Sequence, residues 1–174
     1  MSERTTDNMA SESLLALTRI ALGWVFFWAF LDKTFGLGFY WYHDAQFGTD
    51  PKNAWIQGNS PVQGFLQYGT VDKYFHDFFA SIADSQVVAI LYMVGLFGVG
   101  LTMLLGAGRK IGGVGGAILM VLMWLSELPL ENNPFVDEHI IYALLLLVFA
   151  FTPHFGRKFS LANWWEGIAP SFLH

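Results

Sequence analysis

The chain has 174 residues, 54% of them hydrophobic and only 13% charged, with a formal net charge of −5 and no cysteine. A soluble domain averages roughly 45–50% apolar and 25% charged residues, so this composition belongs to the membrane class. The missing cysteines exclude disulfides, thiolate-held iron–sulfur clusters, c-type haem attachment and a thiol nucleophile, and the acidic balance argues against nucleic acid as a partner.

Residues 1–13 are polar and carry both charge signs. They read as a short exposed tail and not as a signal peptide, because the apolar stretch that follows is too long. The first predicted span covers residues 14–31 and is interrupted by Thr18 and Arg19. A connection of about 50 residues then runs from 32 to 86, too long to be structureless in a compact domain. Its aromatic residues, Phe39-Tyr40-Trp41-Tyr42, Trp55, Phe65 and Tyr68, also argue for order. Within it, Val71, Tyr74, Phe75, Phe78, Phe79 and Ile82 recur at helical spacing opposite Asp72, Lys73, His76 and Asp77. That pattern predicts a helix lying in the membrane interface, apolar side down.

The second span, residues 87–105, carries no charge, and the third, residues 111–128, carries Glu127 near its end. Gly98, Thr102 and Gly106 recur at every fourth position, as do Gly112 and Gly116, which favours close helix contact in lipid. The fourth apolar run is short if counted from Ile140. Asn133 as cap and Pro134 as first helical residue extend it to 134–152, about 19 residues or ~28 Å, long enough to cross a bilayer. The expected fold is an all-α membrane protein. It is a four-transmembrane-helix bundle in one domain, residues 1–174, with a partly helical extracytoplasmic connection between spans one and two. Arg109-Lys110 and Arg157-Lys158 fall on one side. The positive-inside rule makes that side cytoplasmic, with both termini inside and the chain in the plasma membrane.

Chemistry concentrates between spans three and four, where Glu131, Asn132, Asn133, Asp137, Glu138 and His139 crowd one hairpin. Spacing of three and four places Glu138, His139 and Tyr142 on one helix face, and ionisable groups in spans usually face the bundle interior. His139 is then a proton relay near neutral pH. Glu127 faces Glu138 or His139 across the hairpin, or pairs with Lys33 at the end of span one. Arg19 either snorkels to headgroups or is buried, in which case it needs the N-terminal segment, helix ends or a bound anion. His43, His76 and His139 lie on the outer side, but no His-x-x-x-His spacing is present, so no metal or haem site is expected. His154 and His174 fall outside that group.

Several stretches resemble one known family. Asn133-Pro134-Phe135-Val136-Asp137-Glu138-His139-Ile140-Ile141-Tyr142-Ala143-Leu144 resembles the start of the last span in DoxX/DoxD-type membrane proteins. Arg19-Ile20-Ala21-Leu22-Gly23, followed by Asp32-Lys33, resembles their first span, and Gly100-Leu101-Thr102-Met103-Leu104-Leu105-Gly106 the end of their second. Ser60-Pro61-Val62-Gln63-Gly64-Phe65-Leu66 and Trp164-Trp165 resemble elements of the DoxD branch.

The resemblance implies a four-span, DoxD-like subunit of thiosulfate:quinone oxidoreductase, which oxidises two thiosulfates to tetrathionate and passes two electrons to membrane quinone. It implies a smaller DoxA-like partner subunit or a homo-oligomer, with quinone as substrate and membrane lipid as surroundings. No haem, iron–sulfur or flavin signature is evident. With the residues above, it assigns His139, Glu138, Asp137 and Glu127 to catalysis. The small sulfur anion falls to Arg19, Lys33 and Tyr142. The alternative is a non-catalytic structural or assembly subunit of a respiratory or other membrane complex. A small transporter is disfavoured by the absence of paired broken helices.

Overall fold

The computed structural model describes residues 2–38, 50–170 and 173. Its helices are α1 (Ser2–Phe35), α2 (His76–Ser81), α3 (Gln86–Leu105), α4 (Arg109–Ser126), α5 (Glu138–Phe151) and α6 (Ala162–Ile168), and no strand occurs among the described residues. The chain therefore folds as an all-helical protein. Phe39-Tyr40-Trp41-Tyr42, His43 and His174 lie outside the described residues.

The expected polar tail is instead the first part of α1. Neither glycine nor proline occurs between Ser2 and Leu22, so nothing breaks the helix as it leaves the apolar region. The hydroxyls of Ser13 and Thr18 donate back to the carbonyls of Met9 and Leu14 at 2.8 and 2.9 Å, which satisfies them inside the helix.

Three segments, Met9–Phe35, Gln86–Leu105 and Arg109–Ser126, are long and apolar enough to cross a membrane. The fourth is shorter than expected. α5 has 14 residues, about 21 Å against a hydrocarbon core of about 30 Å. Its start differs because two residues compete to cap it. The Asn133 side chain accepts from the backbone N–H groups of Phe135 and Val136 and closes a separate turn. Asp137, with extended backbone, is the true N-cap, accepting from His139 and Ile140.

Packing runs α1 to α3, α3 to α4 and α4 to α5. The main core draws Leu22 and Phe26 from α1, Met93 from α3, Met120 from α4, and Leu146 and Phe149 from α5. Small residues set the crossings. A Cβ on Gly100 would meet the backbone nitrogen of Phe27 at 2.7 Å, and one on Gly113 the carbonyl oxygen of Leu146 at 2.5 Å. Gly112 lies against Thr102 and Gly116 against Val99 and Leu146, whereas Gly98 faces open space. Between α3 and α4 the chain reverses through Gly106 and Gly108, with φ of 66° and 67°, values a side chain would strain.

The outer flanks of these helices are apolar as well. Trp24, Leu91, Ile118 and Leu144 are each at least half exposed. A surface this apolar on long apolar helices is the pattern of a helical membrane protein.

Residues 50–83 build a cap at one end. Trp55 packs against the main core, while Val62, Leu66, Phe79 and Ala83 form a smaller core with Ala89 of α3. The interfacial helix expected across 71–82 forms only in its second half: Asp72 has a positive φ of 66°, and α2 covers six residues. Phe79 is buried, but Tyr74, Phe75 and Phe78 point outward, 75%, 43% and 59% exposed. Trp55 faces the main core, Phe65 the smaller one, and Tyr68 is largely exposed.

At the opposite end, α6 docks through Arg157, whose guanidinium bonds both carboxylate oxygens of Glu166 and the Asn163 side chain. That bond raises the Arg157 pKa further above its usual value.

Candidate functional site

The site lies where α4 ends and α5 begins. Glu127 is the C-cap of α4, its N–H bonded to the carbonyls of Trp124 and Leu125. Ten residues later Asp137 opens α5. Its Oδ1 takes the helix N–H groups, and its Oδ2 lies 2.8 Å from Nδ1 of His139. An ionised carboxylate only accepts, so in the neutral imidazole Nδ1 carries the proton and Nε2 keeps a free lone pair. The His139 and Asp137 side chains are only 12% and 14% exposed. One ligating atom from each of Glu127, Asp137 and His139 lies within 4.8 Å of the others. Among the described residues this is the group of three or more His, Asp and Glu side chains that converges so closely. Glu127 makes no side-chain hydrogen bond or ion pair to another described residue.

The remaining expected site residues are dispersed. Glu138 is exposed and does not join the inward face, because a helix starting at Asp137 places it at the first turn's outer edge. Tyr142, one turn after His139, is half-buried against the main core. Lys33 is half-buried near the end of α1, and no ion pair joins it to Glu127. Lys73 instead reaches the Glu131 carboxylate at 3.6 Å and the Pro129 carbonyl at 3.3 Å, tying the cap to the hairpin. His76 is held by Thr70, 2.9 Å from Nδ1, and does not join the cluster.

Arg19 sits at the other end of the bundle and is fully buried. Its Nε donates to the Gly156 carbonyl, one terminal nitrogen to Met103 and Leu104, and the other to Lys158 and Phe159. A guanidinium has five N–H donors, and all five are taken by carbonyls. None remains for a sulfur anion, so the anion contact expected of Arg19 has no donor. Of the expected alternatives, a helix end is realised at Met103 and Leu104, and the loop of residues 156–159 supplies the other three carbonyls.

The cap role of Asp137 can be separated from its charge. Asp137→Asn keeps the acceptor and is expected to hold stability within a few tenths of a kcal/mol. Asp137→Ala loses it and is expected to cost about 1 kcal/mol in thermal unfolding.

No protein-family model matches this chain, and neither a curated protein nor a solved structure does.

Glu127, Asp137 and His139 read in sequence as acid–base groups, and His-x-x-x-His spacing does not reveal a ligand set that mixes one imidazole with two carboxylates. The available signal was Asp137-x-His139, ten residues after an acid ending an apolar helix.

Proposed function

We propose that the chain is a membrane subunit of a quinone-linked oxidoreductase that oxidises a small sulfur anion, thiosulfate being the first candidate. The observation that carries this reading is the convergence of Glu127, Asp137 and His139 within 4.8 Å at the polar end of an apolar helical bundle. Groups of this kind at the edge of a membrane span mark a functional site by default. The resemblance of residues 133–144 to DoxX/DoxD-type proteins supplies the reaction class. Two thiosulfates lose two electrons to form tetrathionate, and quinone takes up two electrons and two protons to form quinol. The hydrated, carboxylate-lined end supplies the protons, and the apolar helix flanks give quinone access from the lipid.

In this reading α5 is the fourth crossing. It runs antiparallel to α4 along that helix's whole length. At one end Arg109 bonds the carbonyls of Pro153 and Phe155 just beyond α5. At the other, Glu127 meets the residues that open α5. Four crossings put Arg109-Lys110 and Arg157-Lys158 on the cytoplasmic side of the plasma membrane, with both termini, and the candidate site outside. A smaller DoxA-like subunit or a second copy completes the assembly.

The test is thiosulfate-dependent reduction of a soluble quinone analogue by purified protein. Wild type is expected to turn over, and His139→Ala to lose about 100-fold or more, the usual size for removing a group that handles the reacting proton. An inactive wild type that co-purifies cleanly with a larger complex would replace this reading with the non-catalytic subunit.

A further inference from the structure

We infer that Glu127, Asp137 and His139 bind a divalent transition-metal ion of the zinc class at the outer end of the α4–α5 hairpin. The inference rests on the proposed function only for the ion's role, and the binding itself stands on the geometry.

The first argument is the donor set. Two carboxylates and one imidazole, from the end of one helix and the start of the next, converge within 4.8 Å. Imidazole nitrogen with carboxylate oxygen suits zinc, cobalt or ferrous iron better than calcium or magnesium, which take oxygen alone. Three protein ligands leave a coordination position open, as in catalytic zinc sites.

The second argument is distance. Metal–ligand bonds of about 2.0–2.2 Å place neighbouring ligands roughly 3 Å apart on one ion. The His139 and Asp137 atoms, 2.8 Å apart, already have that spacing. Glu127, with no side-chain partner among the described residues, places a carboxylate oxygen within 4.8 Å of the other two. The ion would replace the proton that His139 and Asp137 share.

The third argument is charge. With neutral His139, two carboxylates lie together in a partly buried place, and neither forms an ion pair with a described lysine or arginine, Lys33 included. Arg19 is at the far end on five carbonyls, and Lys73 is held by Glu131 and Pro129. The helix ends do not settle the account either. The negative C-terminus of α4 and the positive N-terminus of α5 meet at the site and offset each other. A cation is the missing component.

Its role follows from the anion. Thiosulfate is a dianion, and the surrounding Glu127, Glu131, Asp137 and Glu138 repel it. A bound divalent ion reverses the local sign and offers the open position to a thiosulfate oxygen or sulfur.

The test uses the full-length chain in detergent, stripped with chelator and titrated with Co²⁺, then Zn²⁺. Expected are stoichiometric Co²⁺ binding with visible d–d absorption, displacement by Zn²⁺, and a change of the Co²⁺ spectrum on adding thiosulfate. Glu127→Gln, Asp137→Asn and His139→Gln should each weaken Co²⁺ at least about 10-fold. Glu127→Gln is the decisive variant, because it changes one partnerless side chain at a helix end and leaves the fold intact. Absence of Co²⁺ binding by wild type, or equal binding by wild type and Glu127→Gln, overturns the site. A Co²⁺ spectrum indifferent to thiosulfate, or full quinone reduction by the stripped chain, overturns the ion's role. Metal bound as expected, with no thiosulfate turnover under any metal loading, supports the site and overturns the oxidoreductase reading instead.

Discussion

Replacing Arg19 by methionine is expected to prevent recovery of the folded protein, or to lower its unfolding temperature by about 10 °C or more. Methionine fills much of the same volume, so the loss is one of hydrogen bonding. Five carbonyls, of Met103, Leu104, Gly156, Lys158 and Phe159, lose their donor; the bonds to Met103 and Gly156 are buried and the other three part-buried. Each buried acceptor left unpaired costs about 1–3 kcal/mol. The two buried ones alone amount to about 2–6 kcal/mol, a large share of the stability of a marginal protein. Arg19→Lys should rescue only part of it. An ammonium has three donors on a single point, and cannot reach carbonyls on both the α3 end and the 156–159 loop. Thermal unfolding in detergent checks both variants. A methionine variant that melts like wild type would show that water or lipid satisfies these carbonyls just as well.

The second large effect is expected at Gly100, with Gly98 as its control. Both lie on α3, one half-turn apart, and differ only in what stands opposite. Gly100→Ala drives a methyl group to 2.7 Å from the backbone nitrogen of Phe27, where no flexible side chain gives way. The α1–α3 crossing must open, at a cost of about 1–3 kcal/mol. Gly98→Ala meets nothing within 4 Å. It should be neutral or stabilising by up to about 1 kcal/mol, since alanine is the better helix former. Equal shifts in the two melting curves would remove the close crossing as the reason for glycine at position 100.

Much of the helix layout was legible because its signals are local. The charge-free run expected at 87–105 is α3, Gln86–Leu105, started by the Ser85 cap and stopped by Gly106 in the left-handed conformation. The spacing of Thr102, Gly112 and Gly116 marked real contacts, but it also marked Gly98, which faces open space, and passed over Gly100, which sets the α1–α3 crossing. The start of α5 was not legible, because Asn133 and Asp137 both suit a cap and local rules cannot rank them. The meeting of Glu127 with His139 across the hairpin was one of the alternatives the sequence offered, but the later start brings in Asp137 where Glu138 was expected, and no periodicity marks that exchange. Arg19 shows the same limit. A search for an acid at equal depth finds none, while its actual partners are backbone carbonyls, which every residue possesses and no sequence marks. The polar stretch before Leu14 misled in the other direction, since polarity is not a helix breaker and only glycine or proline would have stopped α1.

The carbonyl clamp on Arg19 also orders events in time. Its acceptors follow it in the chain by 84 positions at Met103 and by 140 at Phe159. A ribosome adding about 5–20 residues per second needs roughly 7–28 s to deliver the last of them. For that interval the first helix carries an unanswered cation, and the nascent chain must keep it at an aqueous boundary or against other machinery. The bundle can therefore lock only after residues 156–159 have been made, and a ribosome stalled before Gly156 would hold a chain whose first helix has no settled place.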